Sequence, residues 1–157
     1  MPAILGVDPG FTGALALVDG PSVIRCWRVP LRASKGKPQV DLQALATIVG
    51  ELAIVHGCTT AILEDVGAMP GQGVVSMFRF GLVTGMLRGI LAANRFSTIL
   101  IRPAAWKAVL SLPVGKDNAR RLASHIFGTD QWWPLKRDHG SAEAALIGYV
   151  GQRLLKG

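Results

Sequence analysis

Two short apolar runs at the start of the chain, Ala3 to Val7 and Ala14 to Val18, are separated by a brief turn-forming stretch that opens with Asp8-Pro9-Gly10. So short a gap cannot hold a helical crossover, so the two runs read as strand, turn, strand. Asp19-Gly20-Pro21 closes the second run, and Val23 to Val29 alternates well enough to be a third strand. A hairpin-built sheet is therefore expected before any helix is reached.

The rest of the chain changes rhythm. Ser34-Lys35-Gly36-Lys37-Pro38 has no large apolar residue and reads as a basic loop. Asp41 is placed to cap a helix through Leu42, Leu45, Ile48, Val49, Leu52 and Val55, ending near Gly57. Thr59 to Leu63 is a buried-strand pattern that stops abruptly in Glu64-Asp65, as the first strand stops in Asp8. Val74 to Ala93 is long enough for a helix, and Ser97 to Ile101 is a fifth strand halted by Arg102-Pro103. Helices over Ala104 to Leu110, Lys116 to Phe127 and Ser141 to Leu155 complete the pattern. This order predicts a mixed α/β layer, five strands with a hairpin start and parallel crossovers, in one domain over residues 1–157.

Half of the residues are hydrophobic, enough for a well-buried core, and 17 Lys and Arg against 10 Asp and Glu give a net charge of +7. That balance favours a polyanionic partner such as nucleic acid. Cys26 and Cys58 lack the spacing of a zinc site or disulfide framework, which fits a reduced cytoplasmic setting. The longest run without a charge, Val66 to Phe78, is too short and glycine-rich to span a bilayer, so neither export nor membrane insertion is expected.

Three acidic clusters stand out: Asp8, Glu64 with Asp65, and Asp138 with Glu143 flanking His139. If the strands ending in Asp8 and Glu64 are parallel neighbours, their backbones lie about 4.8 Å apart and both carboxylates emerge at one sheet edge. Converging carboxylates repel, and a hard dication such as Mg²⁺ relieves that repulsion. Two such ions sharing Asp8 suit phosphodiester hydrolysis, one activating water and the other stabilising the leaving oxygen. On the last helix His139 shares a face with Glu143 and is able to join it at a metal, and Asp138 competes for the same role.

Next to the second acidic cluster, the glycine-rich segment Met69 to Gly73 places Gln72 and Ser76 where a phosphate or base would be probed, with Arg79 following. Gly81, Gly85 and Gly89 form a helical stripe that implies close approach of another backbone, within the chain or across a two-fold dimer. Lys107, Lys116, Arg120 and other basic residues spread through the second half suit duplex backbones, and Lys116 is placed to reach a reacting phosphate. Trp132-Trp133 either stack on nucleic acid or cover the core edge.

With these residues in view the chain resembles the RuvC-type Holliday junction resolvases, most closely their short phage and prophage relatives. The ordered match comprises Ile4 to Gly10 with Thr12-Gly13, Ile62-Leu63-Glu64, Met69 to Gly73 with Ser76-Met77-Phe78, Arg102-Pro103 with Trp106-Lys107, and Asp138-His139-Gly140 leading to Glu143. The resemblance implies a ribonuclease-H-like fold, a homodimer, and paired symmetric nicks in four-way DNA junctions. It also implies two Mg²⁺ or Mn²⁺ ions per site, with Asp8, Glu64, Glu143 and either Asp138 or His139 as ligands and Lys116 near the scissile phosphate. The chain departs from the cellular members where Val66-Gly67-Ala68 replaces an aromatic after the second carboxylate. Two other classes compete: a non-catalytic branched-nucleic-acid-binding module of the same fold, and an actin-like or sugar-kinase phosphate-binding fragment, for which the chain is short.

Overall fold

The first strand, β1 (Ile4–Asp8), is buried at every position and pairs on both sides, which makes it the centre of the sheet. This computed structural model describes residues 2–157, with the side chain of Lys116 outside the described residues. β2 (Ala14–Asp19) and β3 (Ser22–Arg28) continue antiparallel on one side. Numbering the later strands in chain order, β6 (Thr60–Glu64) and β7 (Ser97–Ile101) continue parallel on the other, giving the order β3-β2-β1-β6-β7. The expected five-stranded mixed sheet is present.

A small antiparallel ribbon, β4 (Leu31–Arg32) with β5 (Gln39–Val40), stands apart from the sheet and was not foreseen. It carries the basic loop at its tip. Asp41 caps α1 (Leu42–Ile54) as expected, its carboxylate accepting from the Ala44 amide at 3.0 Å. α2 (Val74–Ala93) spans the predicted residues, while α3 (Pro103–Val109) starts at the proline, which is tolerated in a first helical turn. α4 is Lys116–Phe127 and α5 is His139–Lys156, preceded by a 3-10 turn at Lys136–Asp138.

Alternation along the strands sorts the core into two faces of different grain. Leu5, Val7, Leu15, Leu17 and Leu63 pack with Leu45 and Leu52 of α1 and Val83, Leu87 and Leu91 of α2. The opposite face is built from Ala14, Ala16 and Val18 against Ala144, Ala145 and Ile147 of α5. Gly6 belongs to this second face, where an added Cβ would fall on the Ala144 carbonyl and 2.9 Å from Gly148 Cα. Small residues thus let the α5 backbone settle almost onto the sheet. Gln152 closes the contact by donating to the Val18 carbonyl at 2.7 Å.

α2 lies largely exposed along its other side, with Val74, Phe78 and Leu82 uncovered. Gly81, Gly85 and Gly89 meet nothing within 4 Å among the described residues, so of the two contacts the stripe allowed, the one within the chain is not made. By length and composition α2 is apolar enough to cross a bilayer. However, it carries Arg79 and Arg88, and Val83, Leu87 and Leu91 are fully buried in the core.

Candidate active site

β1 and β6 run in register Leu5–Ala61, Gly6–Ile62, Val7–Leu63, and one further step brings Asp8 beside Glu64 at the C-terminal ends of adjacent parallel strands. Strand alternation turns both carboxylates toward the small-residue face, since Ile4 and Ile62 on the same sides belong to that cluster. α5 crosses this face and supplies Glu143 from its first turns. Asp8 and Glu64 are 8% and 6% exposed, whereas most carboxylates remain in water.

The charge of Glu143 reaches both buried acids. Burial holds the Asp8 carboxyl well above its ordinary range, with the charges of Glu143 and Glu64 adding to the rise and Lys107 opposing it. Glu64 is raised as well, first by burial; the Trp106 hydrogen bond lowers it, Glu143 raises it and Lys107 lowers it. Trp106 is itself fully buried, and its indole Nε1–H donates to Glu64 Oε1 at 2.8 Å. Nothing in the sequence pattern marked Trp106 as more than part of a motif. Its partner lies 42 residues away.

Lys107 packs its ammonium 5.2 Å from the Trp106 ring centroid. With Glu143 and the loop Leu112 to Gly115 it lines a cavity of about 340 Å³. Val114 is fully exposed at that loop. Above Asp8, Gly140 leaves a cradle: a Cβ there would stand 3.2 Å from Asp8 Oδ2 and collide with the Thr12 carbonyl. This explains why position 140 is glycine; α5 begins at His139 and runs through it, where the sequence pattern placed the start at Ser141.

The remaining expected site residues are placed differently. Asp138 accepts from the Leu135 amide at 3.0 Å and lies 4.0 Å from Arg28, and it is not among the charges acting on Asp8 or Glu64. His139 turns Nδ1 to the Lys136 carbonyl at 3.3 Å. Gln72 and Ser76 are exposed at and before the start of α2, and Gln72 lines a small cavity with Val66, Gly67 and Phe80. Arg79 stacks 4.1 Å over Phe11 and donates to the Pro38 carbonyl at 2.8 Å. Arg120 is engaged by Asp117 and by the Trp133 and Pro134 carbonyls. The role expected of the Lys116 side chain lies outside the described residues. Trp133 is a core residue bonded to Ser124, which favours the covering role of that pair.

The donor set suits a divalent cation in kind: hard carboxylate oxygens, two of them buried and mutually repelling, beneath a cradle kept open by glycine. Among the described residues, no three Asp, Glu, His or Cys side chains are drawn close enough to form a ready-made cage.

Sheet order, helix placement and the acids at the ends of β1 and β6 define a ribonuclease-H-like α/β fold. Its solved likenesses include RuvC resolvases. RuvC of Thermus thermophilus, solved alone and in complex with a Holliday junction substrate, superposes with a TM-score of 0.69 in each case at 14% identity. These matches cover 96–97% of this chain and 96% of each RuvC chain. The yeast mitochondrial Holliday junction resolvase Ydc2 matches with a TM-score of 0.57 and 16% identity, over 99% of this chain and 80% of its own. No protein-family model matches the sequence, and no curated protein matches it.

Proposed function

We propose that this chain is a structure-selective DNA endonuclease, a single-domain crossover junction endonuclease that resolves four-way junctions by paired symmetric nicks during recombination, repair or phage DNA processing in the bacterial cytoplasm. The observation that carries it is the pair of buried carboxylates, Asp8 and Glu64, at the C-terminal ends of adjacent parallel strands, with Glu143 of α5 near enough for its charge to act on both. The solved likeness bound to a Holliday junction supports the choice of branched DNA as substrate.

Asp8, Glu64 and Glu143 would hold Mg²⁺ or Mn²⁺, two ions with Asp8 shared, with His139 or Asp138 as the further candidate. When bound, such ions supply an activated water and stabilise the departing oxygen. The chain's own residues do the rest. Trp106 fixes one oxygen of Glu64 and favours its ionised form. Lys107 lowers the proton affinity of both buried acids and offers a positive charge beside the cavity that Glu143 lines. The exposed apolar stripe of α2, with Phe78 and three uncovered glycines, is the face for a second copy, which two coordinated nicks require.

The test is a cleavage assay on four-way, flap, Y-shaped and linear DNA with Mg²⁺ or Mn²⁺, run with wild type, Asp8→Asn and Glu64→Gln, beside sedimentation. Paired nicks in the four-way junction by a dimer are expected, with both variants binding but not cutting. Junction binding without metal-dependent cutting by the wild type would leave a binding module. ATP turnover without nicking, or a monomer on junction DNA, would overturn the proposal.

A further inference from the structure

Three residues beyond Asp8, Phe11 opens a groove of about 420 Å³ between the β4–β5 ribbon and the N-terminal half of α2. Its volume is that of a small-molecule pocket, roughly 300–1,000 Å³. Phe11, Val40, Leu82 and Met86 form an apolar floor. Arg32, Lys35 and Lys37 stand exposed on the ribbon side, and Arg79 stands on the helix side. No carboxylate lines the groove, and none of these four cations has an acidic partner among the described residues. Arg79 ties the two walls together, lying on the Phe11 ring while bonding to the Pro38 carbonyl.

A purely electrostatic face for duplex DNA has no need of an apolar floor, because paired and stacked bases keep their faces inside the helix. An acidic peptide would match the cations but offers no flat apolar group. An unpaired nucleotide supplies both a phosphate for the rim and a ring face for the floor.

We infer that this groove is a second DNA site, holding an unpaired strand with phosphates on Arg32, Lys35 and Lys37 and a base on the floor beside Phe11. The choice of DNA rests on the endonuclease proposal; the groove's affinity for a strand is measured separately from cutting. Phe11 follows the Asp8 turn in sequence but packs on the α1–α2 face of the sheet, opposite the face that holds the carboxylates, so the groove is a site of its own. Holding an unpaired strand, it favours substrates with a splayed arm over fully paired ones.

The experiment measures fluorescence anisotropy of a labelled oligothymidylate on metal-free wild type and on Arg32→Gln/Lys35→Gln/Lys37→Gln across a salt series. The substituted side chains are exposed, so folding is checked simply by circular dichroism. Each lost phosphate contact removes about 0.7 from the single-strand salt slope, so the variant's slope falls by about 2. An abasic oligomer of the same length binds wild type roughly five- to hundredfold more weakly, as expected of one stacked base. An iodouracil oligomer cross-links to the Phe11 or Leu82–Met86 peptides. An unchanged slope, equal binding of the abasic oligomer, cross-links confined elsewhere, or equally good competition by linear duplex or polyglutamate would each overturn the inference. If the slope falls and the base preference holds while wild type cuts no junction, the groove stands and the endonuclease proposal fails.

Discussion

Replacing Trp106 with Phe keeps a buried ring in place and deletes one proton donor, the Nε1–H that meets Glu64 Oε1 at 2.8 Å. Both partners are shielded from water, Trp106 at 0% and Glu64 at 6% exposure, so no solvent molecule readily replaces the bond. A hydrogen bond to a charged group contributes about 1.5–3 kcal/mol. That sum is the preference for ionised Glu64 that the variant loses, roughly ten- to hundredfold in its ionisation equilibrium. The sign follows from the cause: the indole lowers the Glu64 proton affinity, so its loss drives the titration to higher pH. The assay is a carbon-13 NMR titration of glutamate side-chain carboxyls in metal-free protein, wild type against Trp106→Phe. Denaturation of the two should differ most at neutral pH and converge as Glu64 is protonated in acid. A Glu64 titration that superimposes on wild type would refute the assignment of Trp106 as its positioning residue.

Three further outcomes follow, two of them from the same face of the sheet. In metal-free protein Asp8→Asn is expected to melt above wild type at neutral pH. Because the folded Asp8 carboxyl titrates well above its ordinary value, the penalty grows as pH rises from the unfolded-state value through the folded one and is fully present above it. Each kcal/mol relieved raises Tm by about 2–4 °C, and differential scanning calorimetry showing no gain would count against the buried repulsion. Gly6→Ala is expected to lose about 3 kcal/mol in urea unfolding, because its methyl meets the backbone of Ala144 and Gly148. Gly81→Ala, with open space around it, is expected to gain up to about 1 kcal/mol in the monomer.

Much of the fold was legible because its elements are locally self-consistent. α2 and β7 occupy the expected residues, and Asp41 caps α1 as its position implied. The adjacency of Asp8 and Glu64 could be read from two apolar runs that each stop in an acid, once a parallel crossover was assumed. The β4–β5 ribbon escaped because two-residue strands carry no periodic signal. The start of α5 was misplaced because Gly140 looks like a helix breaker, whereas the bare Cα is what lets the helix pass over Asp8. Asp138 and His139 competed in the sequence for one further ligand position, and around the 3-10 turn both are engaged with nearby backbone. Trp106 and Arg79 were hardest to read, since each acts through a partner about 40 residues distant.

The close seating of α5 on β1 and β2 has a consequence for when the proposed catalytic site comes into being. Its bond from Gln152 to Val18 spans 134 residues, so the contact closes a loop that embraces nearly the whole chain. Loops of that length form late, after local helices and hairpins are already in place. Until α5 docks, Asp8 and Glu64 face solvent without Glu143, and the cluster does not exist as a unit. On the proposed nuclease reading, chains in which α5 has not docked lack the assembled site, and because α5 is so deeply buried, losing it from the mature protein amounts to near-global unfolding.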